Sequence, residues 1–354
     1  MHYKTFCAAN SGDGFTSFFE SLTDEKNQKV FYIKGGPGSG KSTLLKRIAA
    51  MADNAEMIYC SGDPASLDAV VLPDQNAIIF DATAPHSFEP KYPGIGGNIV
   101  DLGEGWNPQK MNKKKIIRLN DQKAEIYKSC YSILEAASKI HVGVFFPLSK
   151  QLEHKKITNT GERILKQYAL WENHNRQASV TKRFLSAISP DGRITLTDTF
   201  QLLSKQIIIL EDRWMIGHEL LSYIDCKLTE NGIDHINCYH PLLGAKTIQH
   251  IIIPTANLSI ITKDGLFPIE IPEEAITRKI TIQSYIDKTF LEEKKNKLVF
   301  IKRLMRELLN TACEKLSEAR DLHMKIEQEY AYGTDFDSTE SLKEKLINNL
   351  FNQS

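Results

Sequence analysis

The feature that most constrains this chain is a glycine-rich stretch, GGPGSGKST, at residues 35–43. An apolar run at residues 30–33 comes just before it, and Leu44, Leu45 and Ile48 follow at the spacing of one helix face. Glycine and proline interrupt regular structure, so the stretch itself predicts a tight loop. The order strand, loop, helix is typical of the start of an α/β unit.

Within this stretch, Gly35, Gly40, Lys41 and Ser42 fit the pattern G-x-x-x-x-G-K-[ST] of a phosphate-binding P-loop. Glycines leave the backbone N–H groups bare, so these groups and the dipole of the following helix attract phosphate oxygens. The lysine places a charge on the β- and γ-phosphates, and the serine hydroxyl binds Mg²⁺. The pattern predicts ATP and Mg²⁺ as cofactors, with nucleotide-binding residues Gly35, Gly36, Pro37, Gly38, Ser39, Gly40, Lys41, Ser42 and Thr43.

An acidic residue ends a second apolar run, NAIIFD, at residues 76–81. A carboxylate at the end of a buried strand is typical of the Walker B aspartate, which helps a P-loop hold magnesium. We therefore predict that Ser42 and Asp81 bind the metal; the alternative is that this aspartate only caps a turn. Asp63 and Asp68 are rival carboxylates, although an aspartate before proline, as at Asp63, is typical of a helix N-cap.

The segment after that aspartate, ATAPHSFEPKYPGIGG, predicts a loop over the ligand-binding end of the sheet. His86 and Glu89 are candidates for orienting water or a substrate, and Thr83 is a candidate phosphate contact. Ala82 stands where many ATPases carry a glutamate, and the guanine-reading N-K-x-D segment is missing, which argues against a GTPase. The predicted catalytic residues are Lys41, Asp81, His86 and Glu89.

The chain also matches itself at an offset of about 180 residues. Three matched blocks occur in the same order: FCAANSGDG (6–14) with FLSAISPDG (184–192), VVLPDQNAIIFD (70–81) with IIIPTANLSIIT (251–262), and ASKIH (137–141) with ARDLH (319–323). This repeat predicts an internal duplication into two tandem P-loop NTPase-like α/β domains, each followed by a long helical segment. We place the domains at residues 1–175 and 176–354, with the boundary in the polar stretch at 157–181.

The second copy of the loop has lost the glycine pattern. In the aligned segment IIILEDRWMIGHELLSYI, Gly217, His218 and Glu219 fall on residues 40–42, and Asp212 replaces the first glycine. The added negative charge and the bulk of Trp214 oppose a bound phosphate. We predict that this segment still folds as strand, loop and helix but does not bind ATP, so the chain has one active site.

GGPGSGKST, CSGDPASLD and DATAPHSFEPKYPG together resemble a poorly characterised bacterial family of duplicated P-loop proteins, described as ATPases or nucleotide-kinase-like proteins. The resemblance covers nearly the whole chain. It implies the fold and ATP binding but brings no substrate. In that family both halves commonly carry a P-loop, and the second half departs from that pattern here.

Composition narrows the partners and the location. Lys plus Arg and Asp plus Glu are both 44, and this balance argues against nucleic acid as a partner. No apolar run reaches the roughly 18–20 residues of a membrane span, and the N-terminus lacks the apolar core of a signal peptide. Six scattered cysteines fit free thiols in a reducing compartment, so we expect a cytoplasmic protein.

Three functions are compatible with these patterns. The first is Mg²⁺-dependent ATP hydrolysis at the single N-terminal site. The second is a P-loop kinase that phosphorylates a nucleotide or a small metabolite. The third is a nucleotide-gated binding protein without turnover, in which the degenerate second half contacts a protein partner or a second copy of the chain.

Overall fold

The computed structural model describes residues 1–23, 26–83, 88–172 and 174–351. The chain is mixed α/β and contains two six-stranded sheets with helices on them. The fold class is therefore confirmed at the level of two mixed α/β sheets. None of the helices in the described ranges is long and apolar enough to cross a membrane.

The first sheet uses the strands of the N-terminal half. Its order is β1-β5-β6-β7-β4-β8, and β6 runs antiparallel to both of its neighbours while the other pairs are parallel. Two further strands, β2 and β3, form a separate hairpin. The strands are β1 His2–Phe6, β2 Ala8–Ser11, β3 Gly14–Ser17, β4 Lys29–Lys34, β5 Ala55–Tyr59, β6 Leu67–Leu72, β7 Ala77–Asp81 and β8 Gly97–Asp101.

The second sheet repeats this arrangement strand for strand. Its order, read from the matching edge, is β9-β13-β14-β15-β12-β16, and β14 is again the strand antiparallel to both neighbours. A hairpin of β10 and β11 corresponds to the first hairpin. The strands are β9 Val180–Arg183, β10 Ser186–Ser189, β11 Gly192–Thr195, β12 Gln206–Glu211, β13 His235–Tyr239, β14 Ile248–Ile253, β15 Leu258–Lys263 and β16 Ile276–Thr281.

Helices complete each sheet and include the two long helical segments that the sequence predicts. The helices are α1 Lys41–Met51, α2 Lys113–Ile140, α3 Phe146–Ser149, α4 His154–Gln167, α5 Asp198–Leu203, α6 His218–Glu230, α7 Lys288–Ala331 and α8 Phe336–Phe351. A π-helical turn, His141–Phe145, joins α2 to α3.

The chain folds into two compact units, and each unit combines segments from both halves of the sequence. Unit 1 consists of Met1–Cys7, Ser17–Ser129 and Glu314–Ser354, and unit 2 of Ala8–Thr16 and Cys130–Cys313. This composition differs from two consecutive domains divided at residue 175. The reason is that the long helices α2 and α7 each contribute one part to unit 1 and the other to unit 2.

Apolar burial fixes the positions of α1 and α8 in unit 1. The helix α1 buries Leu44, Leu45 and Ile48 in a core that it shares with the sheet strands. The helix α8 adds Leu346 and Ile347 to the same core, so it lies over α1. Helices α2 and α7 pack antiparallel in this unit, as the contacts between Lys115 and Glu329 and between Lys123 and His323 show.

Candidate functional site

The glycine stretch forms a tight loop, residues 35–40, between β4 and α1, and we call it the first loop. Gly35, Gly38 and Gly40 have φ angles of +153°, +73° and +85°, which side chains rarely allow. Gly40 is the N-cap of α1, and no side chain caps the helix there. The first backbone N–H groups of α1 therefore face the loop with the positive end of the helix dipole.

Close contacts explain why Gly36 and Gly38 carry no side chain. A Cβ atom at Gly36 would lie 2.6 Å from a ring carbon of Trp106, and one at Gly38 would lie 3.2 Å from the carbonyl oxygen of Glu327. The ring of Trp106 in turn packs on Tyr330 with centroids 5.6 Å apart. The loop is thus held between the segment that follows β8 and the C-terminal part of α7, both in unit 1.

Lys41, the first residue of α1, folds back over the first loop. Its Nζ donates hydrogen bonds to the carbonyl oxygens of Gly35 at 2.7 Å and Gly36 at 2.9 Å. The carboxylate oxygen Oδ2 of Asp81 lies 3.7 Å from the same nitrogen. The side chain is only 11% exposed, so its charge acts in a region of low dielectric constant, where it attracts anions more strongly than in water.

Asp81 reaches this position because β7 pairs in parallel with β4, in a register that places Asp81 beside Ile33. Its Oδ1 accepts hydrogen bonds from the N–H of Thr83, at 2.9 Å, and from the Thr83 hydroxyl. Burial raises the pKa of Asp81, while Lys41 and the two bonds from Thr83 oppose that rise. Lys41 and Asp81 thus lie close together, and the hydroxyl of Thr83 is directed at Asp81.

Ser42 supplies the second predicted magnesium ligand. Its Oγ accepts a hydrogen bond from the backbone N–H of Leu67 at 3.0 Å, which leaves its own O–H and a second lone pair for other partners. Among the described residues, no group of three or more His, Cys, Asp or Glu side chains is arranged to hold a metal ion. A magnesium ion at Ser42 and Asp81 would therefore take its other ligands from phosphate oxygens and water, as Mg²⁺ prefers.

The other predicted residues are placed differently. Glu89 is 71% exposed and forms an ion pair with Lys34 at 2.7 Å, which ties the segment after β7 to the end of β4. His86 lies outside the described residues. Asp63 accepts a hydrogen bond from the hydroxyl of Ser66 at 2.6 Å and so stabilises a turn, while Asp68 is buried.

Sequence reasoning missed the charged residues that reach the first loop from the C-terminal helices. Glu327 on α7 lies against the loop, with its Cβ atom 3.5 Å from the position that a Cβ atom of Gly38 would take. Burial raises the pKa of Glu327, and the backbone N–H of Gly38 opposes this rise by stabilising the carboxylate. The Nζ of Lys343 on α8 lies 3.1 Å from the position that a Cβ atom of Gly40 would take. A carboxylate therefore lies beside a loop amide for which the motif predicts a phosphate oxygen.

His323 belongs to the same group of charges. Its Nδ1 lies 3.4 Å from Nζ of Lys123, and its Nε2 lies 3.6 Å from a carboxylate oxygen of Glu327. Burial, together with the charges of Lys123 and Lys41, lowers the pKa of His323 to about 4. A signal was present in the sequence, because His323 ends the repeated block ARDLH and matches His141 in ASKIH.

The second loop, residues 212–217, connects β12 to α6, so this segment folds as strand, loop and helix. The carboxylate of Asp212 accepts hydrogen bonds from the N–H groups of Ile216 at 3.0 Å and Gly217 at 2.6 Å. Trp214 and Met215 are buried in the same loop. Here a side chain within the loop accepts the hydrogen bonds of the loop's own backbone N–H groups.

Polar groups at the ends of the second sheet's strands also differ from those of the first. Thr262 occupies the register position of Asp81, because it pairs with Leu210 on β12 as Asp81 pairs with Ile33 on β4. Buried Asp264 follows, and its carboxylate lies 3.4 Å from Nε2 of His240. The position that carries the carboxylate of Asp81 in unit 1 is thus occupied by a hydroxyl in unit 2.

Comparison with known proteins adds no relative: no family model, no curated protein and no solved structure matches the chain. The chemistry of the site therefore has to be argued from its own residues. Those residues provide bare amides, a buried ammonium, a carboxylate and a hydroxyl on adjoining elements of unit 1.

Proposed function

We propose that unit 1 binds ATP at the first loop as a P-loop NTPase and hydrolyses it with Mg²⁺ at this single site. The observation that carries the proposal is the meeting of Lys41 and Asp81, 3.7 Å apart, at a loop in which Gly35, Gly38 and Gly40 have positive φ angles. A cation, a carboxylate and bare amides at a helix start are what a nucleotide triphosphate with its metal requires.

Each residue has a defined task in this proposal. The loop amides and the start of α1 bind phosphate oxygens. Lys41 exchanges its carbonyl partners, Gly35 and Gly36, for oxygens of the β- and γ-phosphates. Ser42 and Asp81 hold Mg²⁺, which neutralises charge as the terminal phosphoryl group passes to water.

The second loop does not share this task in the proposal. Asp212 already supplies a carboxylate to the amides of Ile216 and Gly217, and a phosphate there would meet its negative charge. Unit 2 is then a duplicated copy without nucleotide chemistry. The identical strand order of the two sheets supports the duplication.

One observation favours the alternative of a nucleotide-gated binding protein without turnover. Glu89, which was predicted to orient the attacking water, is paired with Lys34. If no other group orients water, ATP would bind and alter the protein without being hydrolysed.

Labelled ATP with Mg²⁺ tests these proposals on the purified chain. Lys41→Ala should abolish ATP binding, while Lys46→Ala, an exposed lysine on the same helix, should leave it unchanged. Phosphate release without an added acceptor indicates hydrolysis, transfer only to an added nucleotide or metabolite indicates a kinase, and binding alone indicates the gated protein. Equal ATP binding by the wild type and Lys41→Ala would contradict the nucleotide site altogether.

A further inference from the structure

Two charged side chains of the C-terminal helices reach the first loop. Glu327 of α7 lies against Gly38, with its Cβ atom 3.5 Å from the position that a Cβ atom there would take, and Lys343 of α8 directs its ammonium group at Gly40. The helix α8 is anchored beside the loop, because Arg47 of α1 forms ion pairs with Glu340 and Glu344 at 2.8 and 2.5 Å.

The corresponding helices in unit 2 carry no charge at these positions. The offset of 182 residues that separates ASKIH from ARDLH places Phe145 at the position of Glu327 and Gly161 at that of Lys343. Phe145 stacks on Trp214 of the second loop, with centroids 6.2 Å apart. Gly161 packs so closely on Tyr223 that a Cβ atom would lie 2.4 Å from its ring. At these two positions the charged side chains of unit 1 are thus replaced in unit 2 by uncharged residues, and the charge that reaches the second loop is a different one, Lys302 of α7, which donates a hydrogen bond to the carbonyl oxygen of Arg213.

A carboxylate lies beside the amides of each loop, but the two carboxylates differ in how easily they leave. Asp212 is part of the second loop and is buried, at 2% exposure. Glu327 comes from a separate helix, and its side chain is 42% exposed. A phosphate that competes for the Gly38 amide can therefore displace Glu327 into solvent by a change of its side-chain rotamer.

Lys343, in contrast, lacks a close and buried anionic partner. It is only 9% exposed, and its ion-pair partner, Glu340, lies 3.4 Å away and is half-exposed. A buried ammonium group is costly unless anions compensate it, and an exposed carboxylate at this distance compensates it weakly. Phosphate oxygens at the first loop would supply the missing negative charge.

We infer that Glu327 and Lys343 belong to the nucleotide site: Glu327 takes the place of a phosphate oxygen on the Gly38 amide until the nucleotide displaces it, and Lys343 joins Lys41 in binding the phosphates. This inference rests on the proposed function. It gives the C-terminal helices a direct part in phosphate affinity, with two opposite contributions.

Calorimetric titration of the full chain with ATP and Mg²⁺ measures both contributions. Glu327→Gln removes the competing charge at constant size and should lower Kd about five- to tenfold, since a charged hydrogen bond is lost from the free state. Lys343→Met should raise Kd about tenfold. Glu314→Gln and Lys345→Met, exposed residues of the same two helices, are the matched controls and should leave Kd unchanged.

Opposite shifts distinguish a direct role from a purely structural cover, which would weaken binding in both variants. Inorganic tripolyphosphate should show the same two shifts, because phosphate alone competes with Glu327. If Glu327→Gln fails to tighten ATP while Lys41→Ala still abolishes binding, the inference is wrong and the proposed function stands. If neither the wild type nor Glu327→Gln binds ATP, both are overturned. The isosteric Glu327→Gln carries the test alone should Lys343→Met not fold.

Discussion

At the scale of single residues, the two loops solve the same problem with different carboxylates. Backbone N–H groups at the start of a helix have no partner within the helix, and leaving them buried and unpaired costs free energy. The second loop satisfies them with its own Asp212. At the first loop the nearby carboxylate belongs to Glu327 on the separate helix α7, which leaves the site open to exchange.

Asp212→Ala should therefore destabilise the protein without affecting ATP binding. Two buried amides lose their acceptor, and we expect the free energy of unfolding to fall by about 2–4 kcal/mol. Burial raises the pKa of Asp212, which shows that the buried charge itself is unfavourable. Removing this charge offsets part of the lost stability, so we expect a value at the lower end of that range. Urea unfolding followed by circular dichroism measures the change.

The neighbouring carboxylate provides the control for that substitution. Glu211 is exposed and bonds to the hydroxyl of Thr281 at 2.9 Å, so Glu211→Ala should cost less than about 0.5 kcal/mol. A loss for Asp212→Ala no larger than for Glu211→Ala would show that its carboxylate does not support the loop.

At the scale of elements, buried histidines in unit 2 make stability depend on pH. Burial lowers the pKa of His141, at the end of α2, to about 4, and that of His250, on β14, to about 3, from an ordinary value of 6.5. These values include the effect of nearby charges: His240 lowers both pKa values and His218 lowers that of His141, while Asp264 opposes both shifts. The pKa of Asp264 itself is lowered to about 2, so it stays ionised above pH 4.

The sign follows from proton binding. Below pH 6.5 the unfolded chain protonates these histidines, whereas the native state does not do so until about pH 4 for His141. The free energy of unfolding should therefore fall between pH 6.5 and 4, by about 1.4 kcal/mol per pH unit for each histidine. Urea unfolding at successive pH values measures the slope. His141→Gln should reduce this slope by the contribution of one histidine, whereas His154→Gln, at an exposed histidine, should leave it unchanged. An unchanged slope in His141→Gln would show that His141 does not cause the pH dependence.

Local elements were predictable because their signals are local. An apolar run, a break and a helical spacing lie within about 20 residues, so strand, loop and helix could be read in both halves. Asp81 could be placed beside Lys41 because parallel strands end at the same edge of a sheet. Strand order depends on distant pairings, which periodicity does not encode.

The contribution of the C-terminal helices was not predictable for a related reason. The apolar stripe of a helix shows which face is buried but not which loop that face covers. Glu327 and Lys343 therefore looked like ordinary charges on helix surfaces. The role of Glu89 could not be predicted because its side chain is exposed. An exposed carboxylate can pair with any nearby cation, and in the folded chain it pairs with Lys34.

At the scale of the whole molecule, each compact unit needs both halves of the sequence. Unit 1 requires Glu314–Ser354 to cover α1 and its loop, and unit 2 requires the hairpin segment Ala8–Thr16 together with the chain from Cys130. The boundary between the two sequence repeats therefore does not coincide with the boundary between the two folded units. For this reason we expect that the two repeats cannot fold as two independent proteins.

Expression of residues 1–175 and 176–354 as separate chains tests this conclusion. Each chain lacks part of both units, so neither should show a cooperative urea transition alone. The fragment 1–175 should also fail to bind ATP, although it contains the whole first loop, because Leu346 and Ile347 no longer cover α1. Size-exclusion chromatography and circular dichroism should instead show a folded one-to-one complex when the two chains are expressed together.

A protease site inserted between Asn175 and Arg176 supplies the control, because the chain is then cut only after it has folded. The nicked protein should remain associated and keep the ATP affinity of the intact chain, since every contact within each unit is preserved. A monomeric fragment 1–175 that unfolds cooperatively and binds ATP would contradict the argument. In that case the C-terminal helices would be dispensable for the loop, and Glu327 and Lys343 would lose the structural basis for their role in phosphate binding.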